Sequence, residues 1–138
     1  MIEPTTDADL IALARQARER AYAPYSRFAV GAALLSRSGR VFTGCNVENA
    51  AYPLCTCAER AAVVKAVSEG EREFVAIAVV TASGATPCGA CRQILREFGG
   101  LEGDLRVIAA DLEGRSRTFT IAELLPAGFT AAQLPRRG

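Results

Sequence analysis

Apolar residues at Leu10, Leu13, Ala14, Ala17 and Ala21 recur at helical spacing, predicting a first helix over residues 7–21, capped by Thr6 or Asp7 and stopped by Pro24. Residues 28–35 and 40–47 are β-like runs joined by a turn at "SRSG", which reads as a hairpin. A second helix is predicted over residues 57–69, ending at Gly70, with alanine and valine on most of its circumference and hence a buried setting. "FVAIAVV", residues 74–80, is apolar on both faces, so it reads as a central strand covered by helices on either side. Pro87 suits a first helical position, and a third helix is predicted from there to Phe98, where "GG" halts it. "LRVIAADL" is a further strand, and "SRTFTIAEL" is a last strand passing into a short helix. The "EGR" connection between them is too short for a crossover helix, so this pair is expected to be antiparallel. The order predicts an α/β fold: a three-layer α/β/α sandwich around a mixed five-stranded sheet.

Composition narrows the function classes. The 138 residues, half of them apolar, suit one domain with its own core. Sixteen basic residues against fifteen acidic ones, dispersed along the chain, leave no basic patch of the kind that binds nucleic acid. "MIEPTTDADL" does not read as a secretory signal, and the longest apolar run is too short to cross a bilayer, so a soluble cytoplasmic protein is expected. In such a setting five cysteines, an odd number, point to metal or thiol chemistry before a disulfide framework.

"PCGAC" places Cys88 and Cys91 at the start of the third helix, and "CTCAE" places Cys55 and Cys57 at the start of the second. A Cys-x-x-Cys pair beside a β-α junction suits either a redox couple or half of a metal site, and a further thiol on a second helix favours the metal. Zinc takes thiolates tetrahedrally, and helix N-termini stabilise thiolates through free N–H groups and the positive end of the dipole. If Cys55 also ligates, the site is closed and architectural; if only Cys57, Cys88 and Cys91 do, one position stays open for chemistry. The tight spacing of Cys55 and Cys57 favours the open form.

Glu59 has two readings. It completes a Thr-x-x-Glu capping box with Thr56, or it is a carboxyl held inside an apolar helix face, two residues past a metal ligand, where it can pass protons at an activated water. Arg60 bears on the charge of the site, because zinc with three thiolates is formally anionic and donors aimed at the sulfurs restore its Lewis acidity. Arg92 is a second candidate for that role, and both arginines can equally be helix-surface residues.

"YAPYSRFAVGAALL", "GRVFTGCNVENAAYPLCTCAERAAVVKAVSEG", "PCGACRQILREF" and "ELLPAGF" together resemble the small homotetrameric cytidine deaminases over nearly the whole chain. The zinc-deaminase signature is His-x-Glu followed by Pro-Cys-x-x-Cys, with an all-cysteine variant, and this chain has no histidine. The resemblance implies zinc held by Cys57, Cys88 and Cys91, hydrolytic deamination of free cytidine and deoxycytidine in pyrimidine salvage, and Glu59 as the proton carrier. It also implies that Phe28, Asn46, Glu48 and the backbone near Ala58 and Cys88 hold the nucleoside, with Ala50, Tyr52 and Phe129 supplied by neighbouring subunits. Cys45, Cys55 and the arginine of "SRF", Arg27, stand out as departures from the expected pattern.

Three other functions share parts of the signature. A polynucleotide deaminase needs a basic, aromatic-lined groove, which one lysine and no tryptophan do not supply. A zinc-stabilised interaction module requires Cys55 as fourth ligand, and a thiol redox protein requires Cys88 and Cys91 to cycle without zinc.

Overall fold

A computed structural model describes residues 5–135. The first helix, α1 (Asp7–Arg18), starts where the threonine predicts: the Thr6 side chain accepts from the Asp9 amide while the Asp9 carboxylate accepts from the Thr6 amide. It stops before Ala21, because the chain is drawn off to pair elsewhere. The Tyr22 amide donates to Asn46 O at 2.9 Å, and the Glu48 amide donates to Tyr22 O at 2.8 Å.

The predicted hairpin forms from β1 (Gly31–Ser36) and β2 (Val41–Cys45). There follow α2 (Ala58–Ser68), β3 (Phe74–Val80), α3 (Gly89–Glu97), β4 (Arg106–Ala110), β5 (Ser116–Thr120) and a short α4 (Ile121–Leu124). The sheet order is β2-β1-β3-β4-β5. Only β3 and β4 are parallel, and they are joined through α3 as a parallel pair requires; β4 and β5 are antiparallel, as their short connection predicts.

Alternation along β3 splits the interior into two cores. Ala76, Ala78 and Val80 face Leu10 and Ala14 of α1, while Ile77 and Val79 face Ala62, Val63 and Ala66 of α2 and Leu95 of α3. The sheet is therefore covered by α1 on one side and by α2 and α3 on the other, and burial of a side chain such as Ile77 stabilises this arrangement by about 2 kcal/mol. Two glycines let the layers close. A Cβ on Gly31 would stand 1.9 Å from Ala14 O of α1, and one on Gly44 would stand 2.6 Å from Ala58 O of α2. The second contact matters for function, since it seats the first turn of α2 directly on β2.

Two expectations are corrected in detail. The third helix begins at Gly89 with Cys88 as its cap, so Pro87 lies outside it. The second helix is not buried all round: Val64 is 56% exposed, and Lys65 and Ser68 share its outer face.

Candidate metal centre

Both α2 and α3 open on a cysteine. Cys57 (φ −74°, ψ 154°) and Cys88 (φ −67°, ψ 170°) are the N-caps, and neither makes a side-chain capping bond. Their carbonyls accept the first helical amides, from Ala61 at 3.0 Å and Arg92 at 2.9 Å, so each thiol stands at the positive end of its helix. Cys91, one turn into α3, is fully buried, Cys57 is half-buried and Cys88 is exposed. The three sulfurs lie within 4.8 Å of one another, the one metal-competent cluster among the described residues.

The protons on these sulfurs are not equivalent. Cys57 is drawn down to about 6, first by a hydrogen bond from the Cys91 thiol, then by one from Cys88 and by the Arg60 charge, with burial opposing. The Cys91 thiol is pushed up, because it donates to Cys57, is buried, and faces the negative charges of Glu59, Cys57 and Cys88. Without a metal the cluster thus concentrates its negative charge on Cys57.

Zinc fits this donor set. Two thiolates on a tetrahedral zinc stand about 3.8 Å apart at bond lengths of about 2.3 Å, within the span the three sulfurs already occupy. The Arg60 Nε is buried and has no hydrogen-bond partner, an orphaned donor that is rare in a native interior. Its charge acts on Cys57, and a deprotonated sulfur would have the chemistry of the acceptor this group lacks.

Glu59 occupies the second position of α2 and is only 4% exposed. Burial pushes its carboxyl up to about 7, its own backbone amide opposes the shift, and the Cys57 charge adds to it. No capping box forms, because the cap is Cys57 and not Thr56. Thr56 instead bridges to Val47, exchanging backbone bonds at 2.8 and 2.9 Å. Ala58, between ligand and carboxyl, is fully buried.

Cys55 stands outside the cluster. Its sulfur accepts from the Asn49 amide at 3.3 Å and donates to Asn49 O at 3.6 Å, which removes it as a fourth ligand in this conformation. Arg92 does not point to sulfur either; it bonds Pro87 O, Leu124 O and Thr86 Oγ1, each at 2.8 Å. Of these partners only Leu124 is remote in sequence; Asn49, Pro87 and Thr86 lie within six residues, and the turns that bring them back onto Cys55 and Arg92 carried no signal in the sequence pattern.

Asn46 and Glu48 lie just past the end of β2, and both engage the segment before β1. Asn46 donates to Phe28 O at 2.8 Å and accepts from the Val30 amide at 2.9 Å. The Glu48 carboxylate accepts from the Tyr25 and Ser26 amides and from the Ser26 hydroxyl, and these bonds, the hydroxyl foremost, hold it below the usual carboxylate range. Arg27, within this segment, has φ +58°, an uncommon conformation for a residue with a Cβ. Phe28 beside it is 42% exposed, and Ala50 and Tyr52 are exposed on the 49–55 loop. Tyr52 packs edge-on against Tyr25 at 6.1 Å, and Phe129 is 55% exposed with its carbonyl held by Gln93 at 2.8 Å.

Residues 4–102 match the cytidine and deoxycytidylate deaminase zinc-binding region. The chain belongs to this deaminase family. It is 50% identical to a cytidine deaminase of Sporosarcina psychrophila over 91% of this chain and 92% of that one. It is 53% identical to one of Halalkalibacterium halodurans, covering 91% and 95%. A cytidine deaminase structure from Burkholderia pseudomallei superposes with TM-score 0.84 at 49% identity, covering 90% of this chain and 99% of that one. One from Mycobacterium tuberculosis superposes with TM-score 0.76 at 44% identity, covering 90% and 98%. The deaminase family thus accounts for the three-sulfur cluster as a zinc site. No helix among the described residues is long and apolar enough to cross a membrane.

Proposed function

We propose that this chain catalyses the hydrolytic deamination of free cytidine and deoxycytidine, consuming water and yielding uridine or deoxyuridine and ammonia, a reaction of pyrimidine salvage. One observation carries the reading: the sulfurs of Cys57, Cys88 and Cys91 converge at a site where the buried carboxyl of Glu59 feels the charge of Cys57, with Cys88 exposed. Zinc, held by those three residues, supplies the Lewis acidity that makes water nucleophilic near neutral pH. Glu59 would accept the proton that the attacking water loses and deliver it to the ring nitrogen next to the reacting carbon. It would then take the proton of the newly added hydroxyl and pass it to the amine, so that the carbonyl forms as the C–N bond breaks and ammonia leaves. Burial raises this carboxyl in the metal-free site, the direction that suits a group required both to take and to give a proton. Arg60 offsets the charge of three thiolates.

Phe28 packs on the nucleoside, the backbone near Ala58 and Cys88 holds the base, and Asn46 and Glu48 hold the sugar hydroxyls. Asn46 keeps one amide hydrogen beyond its bond to Phe28, and the Glu48 carboxylate keeps one lone pair, on Oε2, beyond its three bonds. Ala50, Tyr52 and Phe129 complete sites in neighbouring copies of a cytoplasmic homotetramer, a role their exposure supports. Residues 1–138 form one catalytic domain, and free nucleoside, not nucleic acid or membrane, is its partner. The test is zinc content per chain measured together with ultraviolet-monitored loss of cytidine. Stoichiometric zinc and turnover on free cytidine are expected, with none on a cytosine-containing oligonucleotide; a zinc-bound chain inert on cytidine would defeat the reading.

A further inference from the structure

Cys88 at the N-cap of α3 and Cys91 in its first turn are two of the proposed zinc ligands, and the next two residues are bonded away from the sulfurs. The Arg92 guanidinium donates to Pro87 O through Nε, to Leu124 O through Nη1 and to Thr86 Oγ1 through Nη2, each at 2.8 Å. Gln93, the next residue, donates through Nε2 to Phe129 O at 2.8 Å. Arg92 thus holds both the stretch of chain that leads into Cys88 and the end of α4, while Gln93 holds the segment that follows α4.

The geometry around Cys88 explains why such a clamp is needed. Cys88 caps α3 without a side-chain bond, so the bond that usually fixes a helix entry is absent here. Cys88 is also the exposed member of the cluster, whereas Cys91 is locked in the core. The position of one sulfur relative to the other therefore depends on what fixes residues 86 and 87. A guanidinium presents its donors in a rigid planar fork, so three simultaneous bonds set orientation as well as distance.

We propose that Arg92 is a positioning residue for the metal centre: by clamping residues 86 and 87 to the C-terminal segment at Leu124, it sets the Cys88 sulfur at ligating distance from Cys57 and Cys91. This rests on the zinc-site reading above. It assigns the C-terminal segment a part in metal binding although that segment holds none of the clustered sulfurs.

The experiment compares the full-length wild type with Arg92→Lys, Thr86→Val and Arg96→Lys. Zinc affinity is read by competition with a chromogenic chelator, and folding of the zinc-free proteins by circular dichroism during heating. Arg96 is the control, because it lies on the same helix and donates to two backbone carbonyls, Gly100 O at 2.8 Å and Leu101 O at 3.0 Å, at the end away from the cysteines. Lysine at position 92 keeps the charge but cannot make three directed bonds, so zinc affinity should fall by about tenfold or more. Thr86→Val removes one arm and should move affinity the same way by less, and it carries the test if Arg92→Lys does not fold. Arg96→Lys should lower the melting temperature without weakening zinc.

Unchanged zinc affinity in Arg92→Lys, or in Thr86→Val when that variant alone folds, overturns the proposal. So does an Arg96→Lys variant that loses zinc as readily as Arg92→Lys, since the effect would then be one of general stability. A wild type that takes up no zinc defeats the metal-centre reading itself, and the clamp with it.

Discussion

Helix starts in this chain are of two kinds. α1 and α4 open on threonines, Thr6 and Thr120, whose hydroxyls accept from the third helical amide while Asp9 or Glu123 reaches back to the cap amide. α2 and α3 open on Cys57 and Cys88, which make no capping bond at all. Forgoing a cap costs about 1 kcal/mol per helix, and no local gain offsets that cost at Cys57 or Cys88. What the uncapped ends retain is a positive field with free amides, aimed at sulfurs from two different helices. The difference separates helices whose starts serve folding from helices whose starts serve chemistry.

Substitutions at the two kinds of start should therefore dissociate activity from stability. The largest effect is expected for Glu59→Ala, which should lower turnover by about a hundred- to ten-thousandfold with zinc still bound, as measured by cytidine loss and metal analysis. Next is a pH effect in the zinc-free protein. The Glu59 carboxyl is raised from 4.5 to about 7 on folding, so between those values the unfolded chain ionises while the folded one resists. Stability should fall as pH rises through that window, by on the order of 3 kcal/mol in all, and remain intact below it. Glu59→Gln should abolish this component, which urea denaturation of both proteins across the window would show. Cys57, drawn down to about 6 on folding, works in the opposite direction at higher pH, and because its charge also raises Glu59, the difference between the two proteins reads Glu59 below about 6 and the coupled pair above it.

Arg60→Gln tests the charge balance at the sulfurs. It keeps the helical stem and removes the cation, so turnover per bound zinc should fall by about tenfold while the melting temperature changes little. Unaltered kinetics at full zinc occupancy would make Arg60 an ordinary helix residue. The smallest effect is expected at the capped start. Thr6→Ala should cost about 1 kcal/mol in denaturation and leave kcat and KM as they are. If Thr6→Ala impaired catalysis as Glu59→Ala does, the division between the two kinds of helix start would fail.

The ligand set was legible because cysteine, glutamate and proline at short fixed spacing carry their chemistry in local order. Cys57 with Glu59, and Cys88 with Cys91, are each within one turn of a helix, so only the meeting of the two turns had to be inferred. β3 was legible for a related reason: seven consecutive apolar residues fit only a strand covered on both faces. Ambiguity arose where a residue's partner lies far along the chain. Thr56 and Glu59 carry a capping-box pattern, yet the bridge between Thr56 and Val47 draws Thr56 into β pairing and moves the cap to Cys57. Arg92 follows a ligand as a sulfur partner would, yet Leu124, thirty-two residues away, supplies one of its three acceptors.

By itself, then, the sequence determined the elements, the sheet's antiparallel last pair and the residues able to hold zinc, since hydrophobic period, turn length and ligand spacing are properties of neighbouring residues. The tertiary structure alone decided that three sulfurs share one site while the Cys55 thiol bonds Asn49, that Arg60 keeps a buried, unmatched donor, and that Arg92 serves the backbone and not the sulfurs. Those outcomes turn on burial and on which groups the packed chain brings together, even where the partners are only five or six residues apart, as with Pro87 and Arg92 or Asn49 and Cys55. Neither burial nor such turns exist until the chain has packed.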